Sequence, residues 1–267
     1  MFQYQFFNHA ALASLFAAIS CGIIGTYIVS RRIVFISGGI THASFGGIGI
    51  SYFLGMNPML GAGIFALLSA LGIEYFTRSA KLREDSSIAI WWSLGMAIGI
   101  IFIYLTPGYA PNLMSYLFGS ILTVSSGELY FMAGLSLLLI LIFTLMQRTI
   151  IYIAFDETFA HTTGLPVRSI GYFMMSLIAL TIVLNIRVVG IILIMSLLTI
   201  PQATANIFTK DFSKMMWLSV LIAFLGAFGG LLLSFYADIP SGATIIVVLI
   251  AIFALCKLAM RSSFKRH

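Results

Sequence analysis

Charged residues are scarce in this sequence of 267 residues. Lys, Arg, Asp and Glu together make up 8% of the chain, whereas a typical soluble domain contains about 25%. Hydrophobic residues make up 61%, and the mean hydropathy is +1.09. This composition excludes a soluble domain. We predict an all-α, polytopic transmembrane helical bundle, a single transmembrane domain over 1–267, in the lipid bilayer of the cell membrane.

Cysteines and catalytic motifs are also few. The two cysteines, Cys21 and Cys256, lie far apart in apolar runs and form no CxxC pair, so thiolate metal or redox chemistry has no support. The sequence contains no GxxxxGK[ST], HExxH or GxSxG motif. We therefore expect no enzymatic activity and no permanently bound cofactor, and any ATP hydrolysis would require a separate partner.

The 14 Lys and Arg residues outnumber the 8 Asp and Glu residues and give a net charge of +6, but they form no stripe suited to nucleic acid, so no nucleic-acid partner is expected. They cluster between apolar segments, as in cytoplasmic loops. We predict nine spans, at about 12–30, 37–54, 59–76, 88–105, 129–146, 170–184, 188–207, 216–236 and 243–258. Alternating spans place every basic residue except Arg187 on one side, which predicts an outside N-terminus and a cytoplasmic C-terminus.

The stretch 109–127 does not fit this pattern. Pro111, Asn112 and Gly119 interrupt it, and its apolar core, 113–124, is too short to span comfortably. We interpret it as a membrane-surface or re-entrant segment.

One histidine, His42, lies well inside an apolar span that follows Arg31 and Arg32. Small residues surround it at helical spacing, namely Gly38, Gly39, Ala43, Gly46 and Gly47. Small residues four apart allow close helix contact in a membrane, and an ionisable group among them suggests a functional site. Because neutral imidazole binds transition metals, His42 is a candidate metal contact. The alternative is a neutral histidine that bonds to a carbonyl of a neighbouring helix.

Three polar residues are further candidates for a metal pathway. Ser196 and Thr199 share a helical face near Pro201, which removes a helical hydrogen bond, so they either line a path or bond to their own backbone. Asp238 precedes Pro240 at an outer turn and is expected to cap the start of the last span. A carboxylate there could also attract cations at a pathway mouth.

The cytoplasmic segment 151–169 has the features of a docking element. Asp156 or Glu157 suits the start of a short helix, Gly164 suits its end, and Pro166 prevents its continuation. We predict a structured helix that a partner protein grips, with an ordinary loop as the alternative.

The source of energy follows from the scarcity of ionisable groups inside the spans. An ion-coupled transporter normally requires several, whereas His42 is the one at mid-span. We therefore expect a partner protein to supply the energy. A standalone ion-coupled secondary transporter and a non-transporting membrane scaffold remain as alternatives.

Five motifs together resemble the permease subunits of metal-ion ABC importers of the zinc and manganese type, over nearly the whole chain. They are RR before THASFGG, SYLFGSIL ending at Leu122, DxxFAxxxG at 156–164, VGIILIMSLLTIPQATA at 189–205 and DIPSG at 238–242. The resemblance implies an ATP-driven importer of divalent metal, with zinc ahead of manganese or iron. It also implies a cytoplasmic ABC ATPase, an extracytoplasmic metal-binding protein and a second permease chain, expected to form a homodimer.

The resemblance also assigns roles to residues. The segment that contains Asp156, Glu157, Ala160 and Gly164 matches the coupling helix that docks on the ATPase. His42 matches the second-span histidine of the family, and Asp238 matches its acid before the last span. One position departs from the pattern, because family members often carry an acid where this chain has Gly38. A histidine and a carboxylate on one face would hold a divalent ion better than histidine alone, so metal binding by His42 is left open.

Overall fold

The structure is a computed structural model that describes residues 5–107 and 121–264. It consists of helices joined by turns and loops, and these two ranges contain no β-strand. The helices are α1 Gln5–Ser30, α2 Phe35–Phe53, α3 Pro58–Arg78, α4 Glu84–Leu105, a 3-10 helix Ile121–Thr123, α5 Ser126–Leu145, α6 Gln147–Phe155, α7 Glu157–Thr162, α8 Val167–Val189, α9 Ile191–Leu197, α10 Ile200–Phe208, α11 Phe212–Ala237 and α12 Ser241–Phe264. The predicted all-α class is confirmed. Most of the segment 109–127 lies outside the described residues.

Eight candidate spans in the described chain are long and apolar enough to cross a membrane: α1, α3, α4, α5, α8, α9 with α10, α11 and α12. The remaining predicted span, 37–54, forms α2, a helix of 19 residues that is rich in glycine and serine and does not reach the same hydropathy. Helix α2 packs between α3 and α4, and most of its side chains are buried. Because it faces protein more than lipid, α2 needs less apolar surface than the other spans.

Two groups of ion pairs mark opposite ends of the bundle. At one end, Arg31 after α1 and Arg78 at the end of α3 both contact Glu157 of α7. At the other, Arg187 of α8 pairs with Glu128 of α5 at 2.8 Å. Helix α8 has 23 residues and is therefore about 35 Å long, enough to separate the two groups by the thickness of a bilayer. We call the first the basic end and the second the opposite end.

The backbones of α2, α3 and α4 are in direct contact. A Cβ atom added at Gly47 would collide with the carbonyl oxygen of Gly61 on α3. One added at Gly95 on α4 would collide with the backbone of Ala43. Small residues let helix backbones approach this closely. The prediction that the small residues around His42 form packing faces is therefore confirmed within this chain.

The expected role of Asp238 as a helix N-cap is wrong. Asp238 instead ends α11 in a left-handed conformation, with φ 54° and ψ 45°, and its backbone N–H donates to the carbonyl of Ser234. Helix α12 starts only at Ser241, after Pro240. The short side chain of aspartate tolerates the left-handed region, and a proline soon afterwards is common at helix ends.

The glycine contacts of α2 predict a position-specific loss of stability. We expect Gly47→Ala to lower the free energy of unfolding by about 1–3 kcal/mol, because the added methyl forces two backbones apart. The matched control is Gly134→Ala on α5, where an added Cβ meets open space. That change should be neutral or stabilising by up to about 1 kcal/mol. Thermal unfolding in detergent measures both, and equal effects would contradict the packing.

Candidate metal pathway and coupling helix

His42 lies half-buried on α2 and stacks on Trp92 of α4. The ring centroids are 4.5 Å apart and the ring planes are inclined by 6°. This contact holds the imidazole in one orientation. Within residues 5–107 and 121–264 the ring makes no hydrogen bond, so the alternative of a bond to a neighbouring carbonyl is not seen. Metal binding by His42 stays a prediction.

The space beside Gly38 is filled by a side chain from another helix. A Cβ added at Gly38 would lie 2.9 Å from Cε of Met195 on α9 and 3.5 Å from Cζ3 of Trp92. His42, Trp92 and Met195 thus come from three helices to one region, which we call the His42 cluster. No three His, Cys, Asp or Glu residues gather to form a metal site in the described parts of the chain. The cluster offers imidazole nitrogen and thioether sulfur as donors.

The predicted seventh span is broken next to this cluster. Helix α9 ends at Leu197, and Thr199 takes non-helical angles of φ −129° and ψ −54° before α10 begins. The Ser196 hydroxyl donates to the carbonyl of Ile192 at 3.1 Å, and the Thr199 hydroxyl donates to that of Met195 at 2.9 Å. Both hydroxyls thus bond to their own backbone, as one of the two alternatives expected. Their part in a metal path stays a prediction.

Gln202 stabilises this break and was not identified from the sequence. Its fully buried side chain donates from Nε2 to the carbonyl of Leu197 at 3.1 Å and to that of Cys21 on α1 at 2.9 Å. Gly25 on α1 makes room, because a Cβ there would collide with the Gln202 amide. Gln202 therefore joins both half-helices to α1. The sequence signal that could have identified Gln202 was its position, a polar amide directly after Pro201 in an apolar span.

Asp238 lies on the exposed turn between α11 and α12, at the opposite end of the bundle. Nearby, Phe7 of α1 packs on Phe235 of α11 with ring centroids 5.9 Å apart. The Asp238 side chain makes no hydrogen bond or ion pair with the described residues, and the structure does not bring it together with His42. Its role at a pathway mouth also stays a prediction.

The predicted short helix in segment 151–169 is present as α7. The Asp156 carboxylate accepts from the backbone N–H of Phe159 at 2.9 Å, which caps the start. Gly164 follows the end with φ +79°, a conformation that favours glycine. The predicted start and end are therefore confirmed. Ala160 is fully buried and faces the bundle, whereas the Phe159 side chain is exposed.

Glu157 ties α7 to the rest of the bundle. Its Oε2 lies 3.6 Å from Nη2 of Arg31, and its Oε1 pairs with Nη1 of Arg78. Arg78 also pairs with Glu74, which is fully buried, and Arg31 Nη1 donates to the Tyr27 hydroxyl at 2.9 Å. Burial alone would lower the pKa of Arg31, but Tyr27 and Glu74 raise it on balance, so Arg31 stays charged. We call these five residues the ion-pair cluster.

The ion-pair cluster changes the interpretation of the arginines. From the sequence, Arg31 and Arg78 served only as markers of membrane topology. The structure shows that both bind the helix predicted to couple to a partner. Only the Glu74 and Arg78 pair, four residues apart on one helix, could have been inferred from spacing. The contacts to Glu157 join positions more than 70 residues apart.

Comparison with known proteins places the chain among membrane transport proteins. The family model described as "ABC 3 transport family" matches residues 3–260. An uncharacterized membrane protein of Synechocystis is 44% identical over 92% of this chain and 88% of its own length. The manganese transport system membrane protein MntC of Halalkalibacterium halodurans is 33% identical over 96% of this chain and 87% of its own. PsaBC from Streptococcus pneumoniae, solved with a Fab, aligns with a TM-score of 0.82 and 28% identity, over 95% of this chain and 91% of that one.

The hydrogen bonds of Gln202 predict that the broken helix between α9 and α10 is stabilised by the Gln202 side-chain amide. Gln202→Leu removes the side-chain donor that bonds the carbonyls of Leu197 and Cys21 inside the bundle, which should lower the free energy of unfolding by about 1–3 kcal/mol. The control is Ser196→Ala, which removes only a bond to the same helix. Thermal unfolding of both variants in detergent checks this, and an unchanged midpoint for Gln202→Leu would refute the proposed bridge.

Proposed function

The chain belongs to the ABC 3 transport family and is a metal-ion permease of the cell membrane, and on this premise we propose that it is the membrane subunit of an ATP-driven importer of divalent metal ions. A separate cytoplasmic ABC ATPase supplies the energy, and an extracytoplasmic metal-binding protein delivers the ion. A second copy of this chain completes the pathway as a homodimer. The lack of any phosphate-binding loop in the chain supports a separate ATPase.

The observation that carries this proposal is the exposed surface at α7. Phe159 of α7 and Tyr152 and Phe155 of α6 are 48%, 41% and 59% exposed. The rings of Tyr152 and Phe159 pack with centroids 5.5 Å apart. Exposed aromatic groups of this kind are enriched at protein interfaces. We name Tyr152, Phe155 and Phe159 the aromatic patch, and assign it the direct contact with the ATPase.

The four coupling residues then support this surface from behind. Asp156 and Gly164 set the start and end of α7, and Ala160 and Glu157 hold it against the bundle. The segment 151–169 contains the end of α6, all of α7 and the start of α8. A rigidly held helix transmits a movement of the ATPase better than a loop does. The contacts of α7 inside the chain therefore matter for coupling.

The His42 cluster and the adjacent break are the proposed part of the metal path in this chain. Irregular backbone at membrane depth is tolerated where it is buried in protein or lines a wet cavity. Ser196 and Thr199 lie beside Met195 at this break, and Asp238 lies at the opposite end, where the binding protein would release its ion. A path should bind its ion weakly enough to let it go, which a single imidazole with a thioether satisfies.

Zinc is the ion that the donors favour. Imidazole suits zinc and iron, whereas manganese prefers carboxylate and other oxygen ligands. The relative from Halalkalibacterium is named for manganese. Zinc is therefore proposed first, with manganese and iron as the competing ions. Uptake of radiolabelled zinc, manganese and iron by cells with and without this chain distinguishes them, and unchanged uptake of all three would favour a non-transporting scaffold.

A standalone secondary transporter is the competing function. Purified chain in liposomes should take up no metal in response to a proton or sodium gradient, because His42 is the single ionisable residue near mid-span in the sequence. Gradient-driven uptake without an ATPase would overturn the ABC proposal.

The aromatic patch predicts a loss of ATPase binding. We expect Phe159→Ala to weaken association with the ATPase by about tenfold, since a buried aromatic anchor carries much of an interface. Tyr104→Ala is the control, because Tyr104 is 89% exposed but lies at the far end of α4. The amount of ATPase that co-purifies from native membranes in mild detergent is the measurement. Equal recovery with both variants would refute docking at this surface.

The His42 cluster predicts a change in metal preference. His42→Ala should lower zinc uptake strongly, since it removes the imidazole donor. Gly38→Asp in a Met195→Ala background places a carboxylate one turn from His42, and should raise the ratio of manganese to zinc uptake. Met195→Ala alone is the control, because it clears the same space without adding a charge. An unchanged ratio would show that the ion does not contact this face of α2.

A further inference from the structure

The ion-pair cluster occupies both oxygens of the Glu157 carboxylate with residues of this chain. Oε1 pairs with Arg78 at the end of α3, and Oε2 faces Arg31 in the turn between α1 and α2. The aromatic patch beside it points outward, whereas the Glu157 carboxylate points back to the bundle. Because both oxygens lie beside guanidinium groups of this chain, the carboxylate is oriented by residues of the bundle.

The α3 side of the cluster is held firmly. Arg78 pairs through Nε with Glu74, whose side chain is fully buried. Gly171 of α8 allows this arrangement, because a Cβ there would collide with Glu74 Oε1 and lie 2.8 Å from Arg78 Nη2. Charges buried this deeply stay in place because the separation of one from its partner is costly. Glu157 therefore binds to a rigid point on α3.

The turn that connects Arg31 to α2 is short, and hydrogen bonds fix its backbone. Helix α1 ends with Arg32 in the left-handed region, φ 63°, while Arg32 N–H donates to Val29 and Ile33 N–H donates to Ile28. These two hydrogen bonds form a Schellman motif, which fixes the direction in which the chain leaves a helix. Helix α2 begins only four residues after Arg31, and His42 lies about 10 Å further along its axis.

We propose that Glu157 is a positioning residue that mechanically links the coupling helix to the helix that carries the metal contact. When the ATPase moves α7, Glu157 pulls Arg31 and the start of α2. The pair between Arg78 and Glu157 keeps the end of α3 aligned with α7. Because α2, α3 and α4 are locked by backbone contacts, the displacement of α2 then moves the stacked His42 and Trp92 rings together relative to Met195 on α9. This inference rests on the proposed function, since it assumes that the ATPase acts on α7.

The test compares Glu157→Gln with Arg31→Gln, two changes on different elements that break the same contact. Both should leave recovery of the ATPase and its hydrolysis of ATP largely unchanged. Both should lower metal uptake per ATP hydrolysed by about twofold to fivefold, the effect expected when one partly exposed ion pair is lost. The double variant should be no worse than Glu157→Gln alone, because Glu157→Gln already removes the contact that Arg31→Gln breaks. His161→Gln is the control, an exposed change on α7 outside the cluster.

Three outcomes would overturn the link. If Glu157→Gln loses the ATPase while Arg31→Gln retains it, Glu157 is a direct contact. If the two losses multiply in the double variant, the residues act separately. If both variants keep wild-type uptake per ATP, Glu157 does not transmit the movement.

Two further measurements keep these outcomes interpretable. Thermal unfolding in detergent identifies a variant that fails to fold, and Glu157→Asp then serves instead, since it keeps the charge on a shorter side chain. Phe159→Ala separates the two proposals. If it retains the ATPase, docking at α7 fails, whereas its loss of the ATPase together with normal coupling in Glu157→Gln refutes only the link.

Discussion

The structure depends on the close contact between α2 and its two neighbours. Gly47 meets the backbone of α3, and Gly95 of α4 meets the backbone of α2 at Ala43. No larger side chain fits at these points, so the three helices share one register. That register stacks His42 on Trp92 and leaves Gly38 beside Met195. The candidate metal contact is thus a consequence of backbone packing.

Buried polar groups add a second constraint, because a bilayer offers no water to satisfy them. Gln202 supplies donors to the carbonyls of Leu197 and Cys21, and so joins the broken span to α1. At the basic end, Glu74 is paired with Arg78, and Arg78 with Glu157. In both places a polar side chain connects elements distant in sequence. The candidate coupling helix and the candidate metal path are therefore parts of one connected bundle.

Local signals predicted the parts of the site that depend on neighbouring residues. The acids at 156–157 and Gly164 predicted a helix that the structure contains, because capping and left-handed glycine are local preferences. The same reasoning failed at Asp238. Its proximity to Pro240 suggested the start of α12, but the residue instead ends α11 in the left-handed region. Local preferences allow Asp238 either to cap the start of α12 or to end α11, and the length of α11 decided between the two.

The sequence alone determined that this is an all-α membrane protein whose predicted spans coincide with helices of the described residues, because hydrophobic length responds directly to the bilayer. It also determined the family, through motifs retained along the chain. Only the tertiary structure showed that Glu157 binds Arg31 and Arg78, that Gln202 bridges the break, and that Met195 fills the space beside Gly38. These contacts join residues from separate helices, and such pairs become visible only when packing fixes the distance and orientation of each helix.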